Sequence, residues 1–458
     1  MLTRLANRDS LSFMSKTFRA WRLDEDLLFP PSVRDFVPED HLSRFVVGLV
    51  RESLDLRAIY AAYAGEKGQP PYDPAMMVAL LLYSYAVGLY SSRRIARACA
   101  ERTDLIMIVA LDAPDFRTIS EFRRRHLSAL SALFVQVLRL AERAGLVKLG
   151  HVALDGTKIK ANASKHKAMS YQRMTEREKE LAAEVARWFD AAEAADAEED
   201  RVFGKDKRGD ELPDWVKDKQ KRIAKIREAK AALEAEAKAA AEDKARADAE
   251  AEAKRQAAGR KKPGKTAASP SGVPQGKAQR NFTDPESRIL KTKDGFIQGY
   301  NAQAAVDSHA QIIVAQDLTP GQNDQNQLVP LVDAIAANLG RNPDETSADA
   351  GYCSEANLAA LDERGIAGYV AVARAKRAAD AKRTINGPLT QAMQRKLKRA
   401  GRRSRYRLRK QVVEPVFGQI KQARGFRQFL LRGVEKVKAE WAMICTAHNI
   451  LKLAKAAA

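Results

Sequence analysis

Three acids, Asp155, Asp349 and Glu414, stand where a carboxylate could do chemistry rather than solvate a surface. In HVALDGTKIKA, Val152 and Leu154 alternate with Ala153, so the stretch reads as a short buried strand that closes on Asp155-Gly156. A turn-forming Asp-Gly is the ordinary alternative there. In SADAGYCSEANLAAL, Asp349 reads as a strand end followed by a Gly-Tyr turn and a helix capped by Ser354. In YRLRKQVVEPVFGQIK, Val412, Val413, Val416 and Ile420 recur at helical spacing, and Glu414 and Lys421 lie two turns apart on one face. Pro415 requires that the helix either begin near Val413 or kink there. An exposed Glu in a charged helix is the plain alternative. Two strand-end acids and one helical acid are the ligand set for two Mg²⁺ or Mn²⁺ ions about 4 Å apart, which activate a water or 3′-hydroxyl and stabilise the leaving oxygen.

Positioning such a set takes a sheet with helices on it, and strands interleaved with helices give one. GFIQGYNAQAAVD and HAQIIVAQDLT alternate as two strands separated by Asp307-Ser308-His309, QNQLVPLVDAIAANLG reads as a helix ended by Gly340, and IAGYVAVA as another buried strand. Residues 1–147 read as an all-α domain. Asp73-Pro74 caps the apolar helix AMMVALLLYSYAVGLY, Ser91 or Ser92 caps the next, and Thr118 or Ser120 caps a helix carrying Arg123, Arg124 and Arg125 as candidate phosphate contacts. Lys158 and Lys160 share a strand face and suit the same role.

Residues 168–260 shift to Ala, Glu, Lys and Arg. Met174, Leu181, Val185, Trp188, Ala192 and Ala195 on one arm, and Ile223, Ile226, Leu233, Ala237 and Ala240 on the other, trace heptad seams, with Lys230 in a gap of the second. An antiparallel helical hairpin is expected, its arms joined through DRVFGKDKRGDELP, and residues 261–280 read as a flexible linker back to the globular body.

The chain has 458 residues and a formal charge of +21, a field that attracts a polyanion. Between Arg374 and Lys410 there are fifteen Lys or Arg against one acid, Asp380, which reads as a phosphate grip rather than a solvated loop. Cys99, Cys353 and Cys445 are too scattered for a disulfide framework or a zinc site, which fits a reducing cytosol. No signal peptide is recognised, and the longest apolar run, Ala75 to Tyr90, is shorter than the roughly 20 residues a membrane helix needs. Asp307, Asp317 and Asp324 lie near strand ends and read as turn or cap residues, with decoys or metal neighbours as the alternative, and His448 reads as a core or surface histidine.

DGTKIKA, ADAGY and the Glu followed seven residues later by Lys resemble the three motifs of the DDE transposases of bacterial insertion sequences. YDPAMMVALLLYSYAVGLYSSRRIA and PDFRTISEFRRRH resemble the helical domain of one such group, and GYNAQAAVD and EWAMICTAHNILKL match its later segments. The likeness spans nearly everything outside the hairpin and linker. It implies an α/β fold with an RNase H-like mixed sheet over 148–167 and 281–458, interrupted by the hairpin. It implies Asp155, Asp349 and Glu414 as a catalytic triad on two Mg²⁺ (or Mn²⁺), and Lys421 as a contact to terminal DNA. The family pattern Tyr-x2-Arg-x3-Glu-x6-Lys is kept in part: Tyr406 and Arg409 have the first spacing, whereas Lys410 has the right distance to Glu414, so either basic residue is a candidate. The insertion follows the first strand here, where several relatives carry theirs before the Glu. The implied protein binds the inverted repeats of its element as a homodimer or larger assembly on double-stranded DNA, in the bacterial cytoplasm at the nucleoid, and cuts and joins strands. A nuclease that does not join ends, and a DNA-binding scaffold whose acids are incidental, are the alternatives.

Overall fold

The computed structural model describes residues 32–63, 70–203, 214–257, 259, 271–292, 295–372, 387–401 and 405–458. The N-terminal stretch, most of the segment joining the hairpin arms, the linker up to residue 270, and residues 373–386 and 402–404 of the basic tract lie outside the described residues, as do the side chains of Trp188, Ala192 and Ala195.

The chain opens with helices α1 (Leu42–Glu52), α2 (Arg57–Tyr60), α3 (Pro74–Ala86), α4 (Ser92–Glu101), α5 (Thr103–Val109), α6 (Phe116–Arg125) and α7 (Leu127–Arg143). Asp73 starts α3: its carboxylate accepts the Ala75 N–H at 2.7 Å, and Pro74 takes a position whose missing N–H costs nothing. Being apolar all round, α3 is buried all round, beneath α1, α5 and the C-terminal helix. The cap of α6 is neither Thr118 nor Ser120. Asp115 supplies it, accepting the Thr118 N–H at 2.7 Å, because a carboxylate at that position satisfies an otherwise free helical donor. Ser91 occupies the cap position of α4 but makes no side-chain capping bond.

The sheet is built from β1 (Val152–Lys160), β4 (Arg288–Thr292), β5 (Gly295–Asp307), β6 (Ile313–Thr319), β7 (Glu345–Ala348) and β8 (Ala367–Val370). Its order is β4-β5-β1-β7-β8, with β6 also on β5. β1 runs antiparallel to β5 and parallel to β7, and β7 parallel to β8. A small separate ribbon pairs β2 (Ala168–Ser170) with β3 (Gln279–Asn281), so both ends of the insertion are strand where hairpin and linker were expected. Asp155-Gly156 is not a turn either. β1 continues through it, with Asp155 opposite Ala304 and Gly156 opposite Gln303. Asp307 does serve as a turn acid, accepting the N–H groups of Leu149 (2.6 Å) and His309 (2.8 Å).

Helices α10 (Leu328–Leu339), α11 (Glu355–Glu363), α12 (Pro388–Ala400), α13 (Leu408–Gly418) and α14 (Val434–Ala457) complete the body. α14 fastens sheet to helices: Trp441 Nε1 donates to the Gln303 carbonyl at 2.9 Å, and Asn449 bonds both the N–H and the carbonyl of Ile313 at 2.9 Å. One apolar core therefore runs from α3 through α14 into the sheet, and buried His448 belongs to it. Among the described residues no helix is long and apolar enough to cross a membrane.

The hairpin consists of α8 (Tyr171–Phe203) and α9 (Asp214–Ala257). Their antiparallel pairing shows in the contacts Tyr171 to Glu234 (2.6 Å) and Glu178 to Arg227 (2.8 Å). Met174, Leu181, Ile223, Ile226 and Leu233 form a small core of their own, and Lys230 in the seam gap is answered by Glu178 at 2.7 Å.

Glu440 on α14 is fully buried, accepts the N–H groups of Leu430 and Leu431, and burial pushes its carboxyl up to about 7 from an ordinary 4.5. The folded chain thus holds a proton that the unfolded chain releases earlier. Stability from this group is full below about pH 4.5 and is lost as pH rises towards 7, a span of about 3 kcal/mol. Urea unfolding at about pH 5 and about pH 8 should show that decline in the wild type and a flatter profile in Glu440→Gln. Equal slopes in the two proteins would refute it.

Candidate active site

Asp155 and Asp349 are brought level by strand register. β1 and β7 pair in parallel through Val152 with Thr346 and Ala153 with Ser347, and each acid lies two residues further on. Asp349 caps the short helical turn Ala350–Tyr352, its Oδ1 accepting the Gly351 N–H at 2.8 Å. Burial pushes the Asp155 carboxyl up to about 6, the Arg409 guanidinium pulls it back, and the neighbouring charges of Asp349 and Asp324 raise it again.

Helix α13 supplies the third acid. It starts at Leu408, well before Val413, and carries Pro415 inside it. A proline there has no N–H for the carbonyl four residues back, and that carbonyl, of Gln411, is instead met by the Gln311 amide at 3.3 Å. After Gly418 the chain widens into a π-helical turn, Gln419–Ala423, which carries Lys421. Lys421 Nζ donates to Thr157 Oγ1 (2.8 Å) and to the Lys158 carbonyl (3.1 Å), placing it on β1 just past Asp155. Burial lowers its pKa.

Arg409 connects the acids. Its Nη1 donates to Asp155 Oδ2 at 2.6 Å and its Nη2 stands 3.7 Å from Glu414 Oε1. The Glu414 side chain is 53% exposed, against 16% for Asp155. The Tyr406 ring centroid lies 6.0 Å from the same guanidinium. Of the two basic candidates, Arg409 is therefore the one at the acids, and Lys410 is exposed on the helix surface.

The remaining basic candidates divide. Lys160 is exposed, and Lys158 Nζ donates to the Lys291 carbonyl at 2.7 Å. Arg124 is exposed and paired with Glu121, and Arg125 bonds the Ala62 carbonyl. Arg123 is not on a solvated face. It is 6% exposed and donates to Tyr85 Oη (3.1 Å), the Tyr90 carbonyl (3.0 Å) and Ser92 Oγ (3.2 Å), so no phosphate reaches it. The helix turns this arginine inward because Tyr85, Tyr90 and Ser92 leave acceptors there that need a donor.

One acid beside the site, Asp324, reads in sequence as a turn or cap residue first and as a metal neighbour only second. Asp317 pairs with Lys438 at 3.1 Å, but Asp324 makes no side-chain capping bond; its Oδ1 accepts the amides of Asn301 (2.6 Å) and Gln303 (2.7 Å) beside Gly156. In sequence it sits among Gly, Gln and Asn, which read as a turn. The only signal was indirect: both DGT and DAGY carry a Gly after the acid.

The donors around Asp155 are carboxylate oxygens, which suit a hard divalent cation. Burial is the main reason the Asp155 carboxyl is raised, with Asp349 and Asp324 adding to it against the Arg409 guanidinium, and a cation would relieve the cost of holding these carboxylates together. As the side chains stand, no three His, Cys, Asp or Glu among the described residues are close enough to hold one ion together.

Residues 271–450 match a family described as a transposase DDE domain, and residues 31–125 match one described as a transposase domain. The first match takes in Asp349, Glu414 and Lys421 and leaves Asp155 outside it. No curated protein and no solved structure matches the chain.

Proposed function

The chain belongs to the DDE transposases of insertion sequences, and from that premise we propose that it binds the terminal inverted repeats of its element, cleaves there and joins the freed ends to target DNA, with Asp155, Asp349 and Glu414 as the metal-binding triad. The observation that carries the proposal is the placement of the three acids: two level on adjacent parallel strands, the third on a helix whose Arg409 bonds Asp155 and stands 3.7 Å from Glu414. The strand order, with β1 central, paired antiparallel with β5 on one side and parallel with β7 on the other, supports an RNase H-like catalytic domain over 148–167 and 281–458. Residues 1–147 would be the helical DNA-binding part.

Two divalent ions, Mg²⁺ or Mn²⁺, would be held by the triad and would supply a nucleophile at neutral pH and a partner for the leaving oxygen. In cleavage, water adds at phosphorus, the bond from phosphorus to the 3′-oxygen breaks, and a 3′-hydroxyl leaves. In joining, that hydroxyl attacks a target phosphodiester; one P–O bond forms, one breaks, and the proton passes to the released 3′-oxygen. Bonds are conserved, so no energy source is needed. Asp155, Asp349 and Glu414 would hold the ions beside the reacting phosphate. Lys421, beside Asp155, together with Lys158, Lys160, Tyr406, Arg409 and Lys410, orients the terminal strand. Arg124 and Arg125 grip backbone further away. A homodimer or larger assembly would bring two ends together.

The test is an assay with DNA ending in the inverted repeats that flank the coding region, in Mg²⁺ or Mn²⁺. Joined products are expected. Cleavage without joining would indicate a nuclease, and neither activity a scaffold. Affinity for those ends should fall by roughly 10³-fold or more between about 50 and about 200 mM salt, since six or more neutralised phosphates release their counterions. A nearly flat salt dependence in a filter-binding titration would contradict the phosphate grip.

A further inference from the structure

The two glycines that follow the first two acids have a common explanation. A methyl group on Gly156 would meet the Gln303 amide nitrogen first and would lie 2.8 Å from Asp324 Oδ1 and 2.9 Å from Asn301 Oδ1; one on Gly351 would lie 3.0 Å from Asp349 Oδ1 and 3.2 Å from Asp324 Oδ2. Neither glycine has a positive φ, so backbone freedom is not the reason for either. At both positions Asp324 is among the groups that fill the space beside the glycine, with the Gln303 amide nearest at Gly156 and the Asp349 carboxylate nearest at Gly351. Asp324 thus lies between the middle of β1 and the end of β7, one oxygen towards Gly156 and the other towards Gly351.

Its surroundings fix that placement. Asn301 and Gln303, on the β5 stretch opposite Gly156, both direct their amide N–H groups to Oδ1. Gln303 is anchored in turn, its Oε1 accepting the Tyr352 hydroxyl and its backbone carbonyl the Trp441 indole. Two donors on one oxygen orient the group as a carboxylate and leave Oδ2 facing Asp349. An acid needed only to end a strand or cap a helix would spend its oxygens on backbone N–H groups, as Asp307 does. Asp324 spends none in this way.

Resting on the metal-triad function proposed above, we infer that Asp324 is a fourth carboxylate of the site, a positioning residue that sets the charge and spacing of Asp155 and Asp349 towards the divalent ions. Four carboxylates balance the charge of two divalent cations, whereas three leave an excess that Arg409 would increase. The amide pair keeps the fourth acid still while the first two engage the ions.

Mn²⁺ binding to the full-length protein, followed by calorimetry, with thermal melting alongside, tests this. Asp324→Asn keeps the shape and an oxygen for the two amides. It is expected to melt close to wild type and to bind Mn²⁺ roughly 10- to 100-fold more weakly. Asp243→Asn, on the hairpin helix α9 and paired with Arg246, should bind as wild type. Wild-type Mn²⁺ affinity in folded Asp324→Asn would overturn the inference and leave the triad standing. Unchanged affinity in Asp155→Asn would instead remove the metal site itself, and the role of Asp324 with it. If Asp324→Asn fails to fold, Asn301→Ser is read instead, because it leaves every acid in place and removes the 2.6 Å bond that fixes Asp324. Several-fold weaker Mn²⁺ binding is expected, and unchanged binding overturns the inference.

Discussion

Glu414→Gln is expected to bind terminal DNA as the wild type does and to lose strand joining by a factor on the order of 10³ or more. The size follows from withdrawing one ligand from a site where metal stabilisation of the developing charge is worth several kcal/mol, each 1.4 of which is about tenfold in rate. The cleanness follows from exposure. Glu414 is on the open side of α13, 3.7 Å from Arg409 and with no closer ion pair, so the amide should alter stability by no more than about 0.5 kcal/mol. Asp155 offers a poorer test, because its neutral substitute also removes the charge that pairs with Arg409 inside the fold. Joining should be followed with pre-cut ends bearing a 3′-hydroxyl, and binding by gel shift in Ca²⁺. A Gln variant that joins at a rate near wild type would take Glu414 out of the chemistry.

The three acids could be singled out because each carries a local mark: hydrophobic alternation before Asp155, a Gly-Tyr turn after Asp349, a valine-rich helical face around Glu414; the strand, however, does not end at Asp155 but runs on to Lys160. What was not legible depends on contacts distant in sequence. Asp155-Gly156 looks like a turn until β5 is laid beside it, when the glycine proves to be the gap into which Asn301, Gln303 and Asp324 reach. Pro415 looks like a helix start until Gln311, about a hundred residues away, takes the orphaned carbonyl. Arg409 and Lys410 are neighbours that spacing alone could not separate. On a helix they point about 100° apart, and only Arg409 faces the acids. The cap of α6 was misplaced for a smaller reason: Asp115 sits beside a proline and reads as loop, yet a carboxylate there outcompetes a hydroxyl within the helix.

Arg123 gives the sharpest separation between a charge that binds and a charge that holds. Three successive arginines on α6 look alike in sequence, but Arg123→Ala is expected to cost about 3 to 5 kcal/mol of stability, whereas Arg124→Ala should cost about 0.5 kcal/mol or less. Removing the Arg123 guanidinium strands the Tyr90 carbonyl, Tyr85 Oη and Ser92 Oγ in a dry interior, and it takes away a positive charge that stabilises the ionised form of buried Glu440. Arg124 loses only an exposed pair with Glu121. Urea midpoints of the two variants measure the difference directly, and terminal-DNA affinity, corrected for the folded fraction, should stay at the wild-type level in Arg123→Ala. If instead that variant is as stable as wild type and binds DNA poorly, the arginine faces outward, and the buried network joining α3, α4 and α6 is not what holds these helices together.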